Sequence, residues 1–208
     1  HHLTLWSRFG PYDRRLVERI AYRRRLLFEY WAHATCLVPA SHYPAWRRAM
    51  LDYSLRSRAW GRWLQRNRRV LRAVEDAIAA RGPLGSGDFD EGRAPGASGG
   101  WWSWKPATHA LDYLWMSGRT LVRSRTHFRK CFDLAERVMP EAVALEPLTP
   151  EGFRRWHLHR SLHALGAASE ADLRMYLTFP RSSAAEKRRA LRMALDAGEV
   201  VEVEVEGE

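Results

Sequence analysis

The sequence predicts a mainly α-helical fold with small β-hairpins, an α+β class in which a set of helices followed by a hairpin occurs twice. Three observations lead to this prediction. Apolar residues repeat at helical spacing along much of the 208-residue chain, and Gly or Pro interrupts the repeats. Short β-prone runs follow the last helix of each set. A chain of this length can bury a core without disulfides or a metal.

The first third of the chain contains a short predicted strand and two predicted helices. Residues 3–9 are β-prone and predict the strand. Asp13 is placed to cap a helix that runs through Arg25, because a carboxylate can accept hydrogen bonds from the first free N–H groups of a helix. A second helical stretch begins near Pro44.

The middle of the chain predicts two helices, a loop and a hairpin. Asn67 is expected to cap a helix that ends at Gly82-Pro83. The six glycines within residues 85–100 predict a flexible loop, and a helix then runs from near Pro106 to Gly118. Residues 119–132 predict a hairpin, called the basic hairpin below, with Thr120-Leu121-Val122 in the outgoing strand and residues 127–132 in the return strand.

The last third repeats this order. A helix over residues 153–165 ends at Gly166. Ser169-x-x-Asp172 and Ser183-x-x-Glu186 resemble capping boxes that open two further helices. In such a box the Ser side chain accepts from the backbone N–H of the acidic residue, and the carboxylate accepts from the backbone N–H of the Ser. Val and Glu then alternate over residues 201–206, as in a half-exposed strand.

We interpret the chain as having the order helix, short helix, helix and hairpin at residues 67–132, where two of the helices are identified, and again at 153–206. This is the order of tandem winged-helix units, in which a helix-turn-helix is followed by a β-hairpin wing. Three amphipathic helices and a hairpin can also pack as a domain that binds no DNA. Winged helices also serve as protein-interaction modules, so the repeat indicates fold more than function.

The basic residues are concentrated at one end of the chain. The net charge is +10, from 31 Arg and 3 Lys against 24 acidic residues. Residues 1–80 hold 16 Arg against 6 acidic residues, whereas residues 81–150 have a net charge of +1 and residues 151–208 one of −1. A preference for Arg over Lys can reflect a GC-rich genome, so the position of the excess is the informative feature. It favours a nucleic-acid partner, with an anionic membrane surface as the alternative.

Composition also excludes several classes of protein. No apolar run approaches the roughly 18 residues of a membrane span. Two cysteines are too few for a secreted disulfide framework, which favours a reducing cytoplasm. Phosphate-loop, nucleophile-elbow and paired-cysteine zinc motifs are absent from the sequence, and we expect no cofactor.

The basic hairpin is the main candidate for DNA contact. It contains five cations and no acidic residue: Arg119, Arg123, Arg125, Arg129 and Lys130. Such a hairpin fits a phosphate track or insertion into a groove. The alternative is a solvated hairpin whose arginines keep an edge strand soluble. The Glu-rich second hairpin would repel phosphate, so the unit that carries it is expected to be a scaffold or a domain contact.

Two further clusters allow more than one interpretation. Trp101, Trp102 and Trp104, with Lys105, could stack on bases or pack on a neighbouring helix. His159 and His163 lie one helical turn apart, but no Glu stands between them in the metalloprotease position, and we expect no metal.

Four segments of the chain resemble the YcaQ/AlkZ winged-helix DNA glycosylases, with the YcaQ branch as the nearer match. They are the string His1–Arg8, the string Phe28-Glu29-Tyr30-Trp31-Ala32-His33-Ala34, the string Ala110-Leu111-Asp112-Tyr113-Leu114 with Gly118-Arg119, and the string from Phe132 to Pro140. The resemblance implies three tandem winged helices wrapped around DNA, followed by a small β-barrel. Residues 1–65 would then end the first unit, 66–150 would form the second and 151–208 the third, with the barrel outside these residues.

The resemblance also implies the chemistry. The family's catalytic Gln-x-Asp or Gln-x-Gln motif stands shortly before the His-His string, so we expect the catalytic residues upstream of residue 1. Glu29 and His33 are expected to be hydrogen-bonded structural residues. The implied function is hydrolysis of the N-glycosidic bond of alkylated or crosslinked purines in duplex DNA. The alternative is a non-catalytic winged-helix DNA-binding regulator or a protein-interaction module.

The expected DNA contacts, cellular location and oligomeric state complete this interpretation. Arg8 and Lys105 join the five cations of the basic hairpin as expected DNA contacts. We expect a cytoplasmic, nucleoid-associated monomer.

Overall fold

The computed structural model describes residues 2–32, 34–56, 58–89, 106–177 and 179–204. The chain divides into two compact units, His1–Pro147 and Leu148–Glu208. The described residues are mainly helical and include two separate antiparallel strand pairs. The predicted mainly helical fold with small hairpins is confirmed.

The first unit contains short helices, two strand pairs and one long helix. Its helices are α1 His2–Phe9, α2 Arg14–Glu18, α3 Tyr43–Leu51, α4 Tyr53–Arg56, α5 Arg58–Arg81, α6 Pro106–Met116, α7 Ala135–Val138 and α8 Pro140–Ala144. A π-helical turn continues α2 over Arg19–Arg23, and 3-10 turns lie at Ala40–His42 and Ser86–Phe89. Its strands are β1 Leu27–Trp31, β2 Thr35–Pro39, β3 Thr120–Thr126 and β4 Arg129–Leu134.

The strand predicted over residues 3–9 is wrong, because these residues form helix α1. An alternation of two apolar residues, Leu3 and Leu5, is too short to separate a period of two from a helical period. The N–H of Gly10 bonds to the carbonyl of Trp6 and closes the last helical turn. Arg8 lies in that turn, where a cation complements the helix dipole.

The strand pair β1–β2 has no counterpart in the sequence prediction. Leu27 pairs with Pro39 and Trp31 pairs with Thr35, so the two strands form a regular antiparallel ladder. Phe28 and Tyr30 are buried, and so is Glu29 between them. A strand with three consecutive buried residues lacks the alternation that identifies a half-exposed strand.

The predicted cap at Asn67 is a kink within a longer helix. Helix α5 begins at Arg58, and Asn67 has non-helical dihedral angles (φ −120°, ψ 24°) inside it. Its side-chain amide donates to the carbonyl of Trp63 one turn earlier. Asn favours caps because its side chain competes for backbone hydrogen bonds, and the same chemistry bends a helix that continues through it.

The core of the first unit joins β1 to the C-terminal end of α6. The Tyr30 hydroxyl donates to the carbonyl of Met116 at 2.8 Å, and the indole N–H of Trp115 donates to the carbonyl of Glu29 at 3.1 Å. Tyr30, Met116 and Trp115 are all buried. Two buried aromatic side chains, each with its polar atom bonded, therefore fix the position of β1 against α6.

The second unit is a three-helix assembly of α9 Pro150–Leu165, α10 Glu170–Tyr176 and α11 Ala184–Asp196. Both predicted capping boxes are confirmed, because the Ser169 and Ser183 side chains accept from the N–H groups of Asp172 and Glu186. The helices pack around an apolar core whose buried members are Leu158, Leu173, Leu177 and Ala194.

The strand predicted over residues 201–206 is wrong for its described part. Residues 201–204 have no strand structure, and Val205 and Glu206 lie outside the described residues. Val201 and Val203 are exposed rather than packed on a core. A period of two in sequence needs a partner strand to form a ladder, and the described part of this unit contains none.

Candidate nucleic-acid interface

The basic hairpin lies in β3 and β4, which are buried at the ends away from the turn and more exposed towards it. Strand β4 continues past the hairpin through the buried Asp133 to Leu134. Leu121 and Val122 are buried in β3, and Phe132 is buried in β4. A register shift between Val122 and Ser124 leaves Arg123 opposite no partner, as in a β-bulge. The structure contains the predicted hairpin, but His127 and Phe128 form its two-residue turn and are not part of the return strand.

Two of the hairpin's five cations face solvent and lie free of acidic partners. Arg123 is exposed on the bulge, and its guanidinium donates to the carbonyl of Arg137 at 3.3 Å. Arg129 is exposed beside the turn and has no hydrogen-bond or ion-pair partner within the described part of the chain. Both side chains are therefore placed to reach an external anion.

The other cations of the hairpin are engaged within the protein to different degrees. Arg119 is half exposed and pairs with Glu75 at 2.5 Å. Lys130 lies 3.4 Å from the centre of the Trp115 ring, in a cation–π contact. Burial lowers the pKa of Lys130.

Of the predicted contacts outside the hairpin, Arg8 is exposed on α1. Lys105 lies outside the described residues, as do Trp101, Trp102 and Trp104.

Arg125 is held by a buried carboxylate from another strand. Its Nε and Nη2 atoms donate to the two oxygens of Glu29 at 2.8 and 2.5 Å. The Glu29 side chain is fully buried, and the Tyr22 hydroxyl donates to it at 2.6 Å. Hydrogen bonding to Glu29 raises the pKa of Arg125, and burial followed by the bond to Glu29 raises the pKa of Tyr22. Glu29 is thus a hydrogen-bonded structural residue, as expected, while His33 lies outside the described residues.

An open cleft of about 1120 Å³ lies between the basic hairpin and the N-terminal helices. We call it the hairpin cleft, and its lining residues are His2, Leu3, Thr4, Val17, Glu18, Tyr22, Arg23, Thr35, Leu37, Pro83, Arg123, Ser124, Arg125, His127 and Phe128. Arg25 donates to the carbonyl of Arg123 at 2.8 Å near this cleft, and its pKa is lowered to about 10 by burial and then by the charge of Arg123. Cations outnumber acids along this surface, so its field attracts anions.

Sequence reasoning missed the part played by Tyr22, Arg25 and Phe128. The β-prone composition of Leu27–Trp31 was a partial signal for the strand that carries Glu29, although its burial does not alternate. The partnership of Glu29 with Arg125 could not be found, since 96 residues separate them. Contact of DNA with Arg8 and with the hairpin cations stays a prediction.

The described residues hold no group of three or more His, Cys, Asp or Glu side chains that could bind a metal ion. His159 instead lies 2.7 Å from Glu199, which also pairs with Arg155. No helix in the described ranges is long and apolar enough to cross a membrane.

Comparison with known proteins identifies the class. The family model of AlkZ-like DNA glycosylases matches residues 1–208. The chain therefore belongs to the AlkZ-like DNA glycosylase family. A search of the solved structures found no match. DNA is the partner that this family implies, and the resemblance seen in the sequence is confirmed.

Proposed function

We propose that this chain is part of a DNA-repair glycosylase that grips damaged duplex DNA through the basic hairpin and its cleft. The observation that carries the proposal is a hairpin whose residues 119–132 include no acid and whose Arg123 and Arg129 are exposed beside the hairpin cleft. The chain's membership of the AlkZ-like DNA glycosylase family supports it. Phosphate contacts of this kind supply most of the sequence-independent affinity for DNA.

We also propose that the hairpin is the wing of a winged-helix unit. The backbones of Leu84 and Phe132 bond to each other in both directions and form an isolated antiparallel bridge beside β4. This bridge lies between α5 and α6 in the chain, and a short first strand at that position would support a winged-helix unit. The second unit supplies the three helices of such a unit, and the described residues 201–204 supply no wing.

The proposed substrates are alkylated or crosslinked purines. An N7-alkylated guanine is a cationic leaving group, so its release needs little acid catalysis. It needs a carboxylate or an amide that positions water and stabilises the developing positive charge of the sugar. The family resemblance assigns that task to a Gln-x-Asp motif, which residues 1–208 do not contain.

A grip on the backbone suits lesions that tie the two strands together. Complete extrusion of a base from the helix is the common solution for chemistry on that base, but a crosslinked base cannot leave freely. A wing inserted in a groove could expose the glycosidic bond without full extrusion. We therefore propose that the hairpin cleft holds the damaged strand while the bond is cut.

Base release from a duplex that contains N7-methylguanine tests the proposed activity. The chain of 208 residues is compared with a version extended by the residues encoded upstream of His1, and each is first shown to bind the duplex. We expect binding by both and release only by the extended protein. Release by neither would contradict the proposed substrate class. Release by the 208 residues alone would place the catalytic group among them.

Sequence preference in binding separates the glycosylase from the regulator. A repair enzyme should bind unrelated duplexes with similar affinity at a given salt concentration. A regulator should prefer one site by about a thousandfold or more.

A further inference from the structure

Phe128 is an apolar side chain at the tip of the basic hairpin with nothing to pack against. It is 85% exposed, more than any other large apolar residue among those described. An aromatic ring in this position gains no burial in the free protein, although burial is the usual contribution of such a residue to stability.

The backbone at the tip is also unfavourable for the residues that occupy it. His127 and Phe128 have φ values of 48° and 66°, which is the left-handed region at both central positions of a two-residue turn. Turns of this kind favour Asn and Gly, because a bulky side chain in the left-handed region costs about 1–2 kcal/mol. The tip therefore carries Phe at a cost to the fold.

The structure holds this tip in place through the buried carboxylate of Glu29. The Nη1 atom of Arg125 donates to the carbonyl of Phe128 at 2.5 Å. The same guanidinium is fixed by its two bonds to Glu29, which is buried against α6. A chain of hydrogen bonds thus runs from the protein core to the turn, and the exposed ring stands on a rigid support.

We propose that Phe128 is a wedge that enters the base stack of duplex DNA while the exposed Arg123 and Arg129 bind phosphates. The inference rests on the proposed function, because it requires the basic hairpin to lie in a DNA groove. Proteins that kink DNA insert Phe, Leu, Ile or Met between neighbouring base pairs, and fixed cations beside the wedge hold the backbone. The ring, the cations and the absence of acidic residues from positions 119–132 all fit this use.

Fluorescence of 2-aminopurine tests the wedge directly, because its emission rises when the base loses its stacking neighbours. The probe is a short duplex in which 2-aminopurine replaces adenine at each TpA step, since these steps unstack most easily. We expect the wild-type chain to raise the emission and Phe128→Ala to abolish the rise. Affinity should fall about tenfold in Phe128→Ala, since a wedge contributes apolar contacts.

Two further variants make the test specific. Phe128→Leu keeps an apolar wedge and should retain much of the rise. Phe9→Ala removes an aromatic ring that is 76% exposed on α1 and should leave the emission unchanged. Ala keeps a Cβ atom, so Phe128→Ala does not relax the left-handed backbone of the turn.

The possible failures are distinguishable. If the wild-type chain does not bind the duplex, the proposed function fails and the wedge with it. If it binds but the emission stays flat, or if Phe128→Ala raises it as well, the wedge is overturned and the proposed grip on phosphate stands. Binding of anionic phospholipid vesicles that is lost in Phe128→Ala, with no effect of this change on DNA, would also overturn the wedge in favour of a membrane contact.

Discussion

Arginine side chains in this protein often bond to main-chain carbonyls rather than to acidic side chains. Arg25 donates to the carbonyls of Val122 and Arg123, and Arg137 donates to that of Ala79 near the end of α5. A guanidinium has five donors in a fixed plane, so one side chain can bond to two neighbouring carbonyls. These arginines stabilise the fold, and the number of basic residues alone does not show how many are free to bind DNA.

The five cations of the basic hairpin looked equivalent in the sequence, and the structure separates them. Arg123 and Arg129 remain exposed, whereas Arg125 and Lys130 are engaged by Glu29 and Trp115. Local pattern could predict the hairpin and its charge. It could not predict these partners, because Glu29 comes from a strand that is distant in the chain.

Gly118 is a position where even one added methyl group is expected to destabilise the first unit. Its φ is +73°, and a Cβ atom added there would lie 2.7 Å from Sδ and 2.9 Å from Cβ of Met50. Met50 is buried and cannot easily move. We expect Gly118→Ala to lower the free energy of unfolding by about 2–4 kcal/mol, from backbone strain and overpacking together. Urea unfolding followed by tryptophan fluorescence measures the loss.

Gly82→Ala is the matched control for this substitution. Gly82 also has a left-handed backbone (φ +90°), but a Cβ atom there would meet nothing within 4 Å. Its loss should be about 1 kcal/mol, which is the strain alone. Equal losses in the two variants would show that the contact with Met50 adds nothing.

At the scale of elements, helices with a clear cap were predictable and strands without alternation were not. The boxes at Ser169 and Ser183 and the cap at Asp13 are found where the sequence placed them. The strand β1 escaped prediction because its buried side is set by contact with α6, which is a tertiary effect. The kink at Asn67 shows the same limit, since its side chain donates back to the carbonyl of Trp63, whereas a cap would accept from a following N–H, and the sequence does not distinguish the two bonds.

The capping boxes of the second unit should control the local opening of their helices. Ser169→Ala and Ser183→Ala each remove an acceptor for a helix N–H, a change that costs about 1 kcal/mol. Amide hydrogen exchange should then be about fivefold faster in α10 for the first variant and in α11 for the second. Mass spectrometry of peptides from the two helices measures these rates.

Ser182→Ala provides a control in the same segment. Ser182 makes no hydrogen bond among the described residues, and its replacement should leave exchange in α11 unchanged. If Ser182→Ala and Ser183→Ala increased the rate of amide exchange in α11 equally, the hydrogen bonds of the capping box would not be what protects the helix.

At the scale of the whole molecule, the positive charge belongs to one of the two compact units. Residues 1–147 contain 25 basic and 14 acidic residues, whereas residues 148–208 contain 9 and 10. The first unit should therefore dominate the electrostatic attraction for a polyanion, and the second should contribute little to it.

Salt dependence of DNA binding measures this division. Replacement of Arg123 and Arg129 together by Ala should lower the slope of log K against log salt by about 2, because each lost phosphate contact removes about 0.9. Arg125 is left out of this test, since it is held by Glu29. The matched control is Arg188→Ala with Arg192→Ala, two exposed arginines of α11 whose loss should change the slope little. Similar slopes for the two double variants would contradict the hairpin as the phosphate-binding element.

The pair of Glu29 and Arg125 has a consequence for how this family can evolve. Loss of one partner leaves the other charge poorly compensated, which commonly costs 3–5 kcal/mol, while replacement of both by apolar residues can be nearly neutral. A substitution at either position alone is therefore expected to destabilise the protein and to be selected against. Relatives without an acid at position 29 should also lack arginine at position 125, and the two sites should change together across the family tree even where the surrounding surface arginines drift independently.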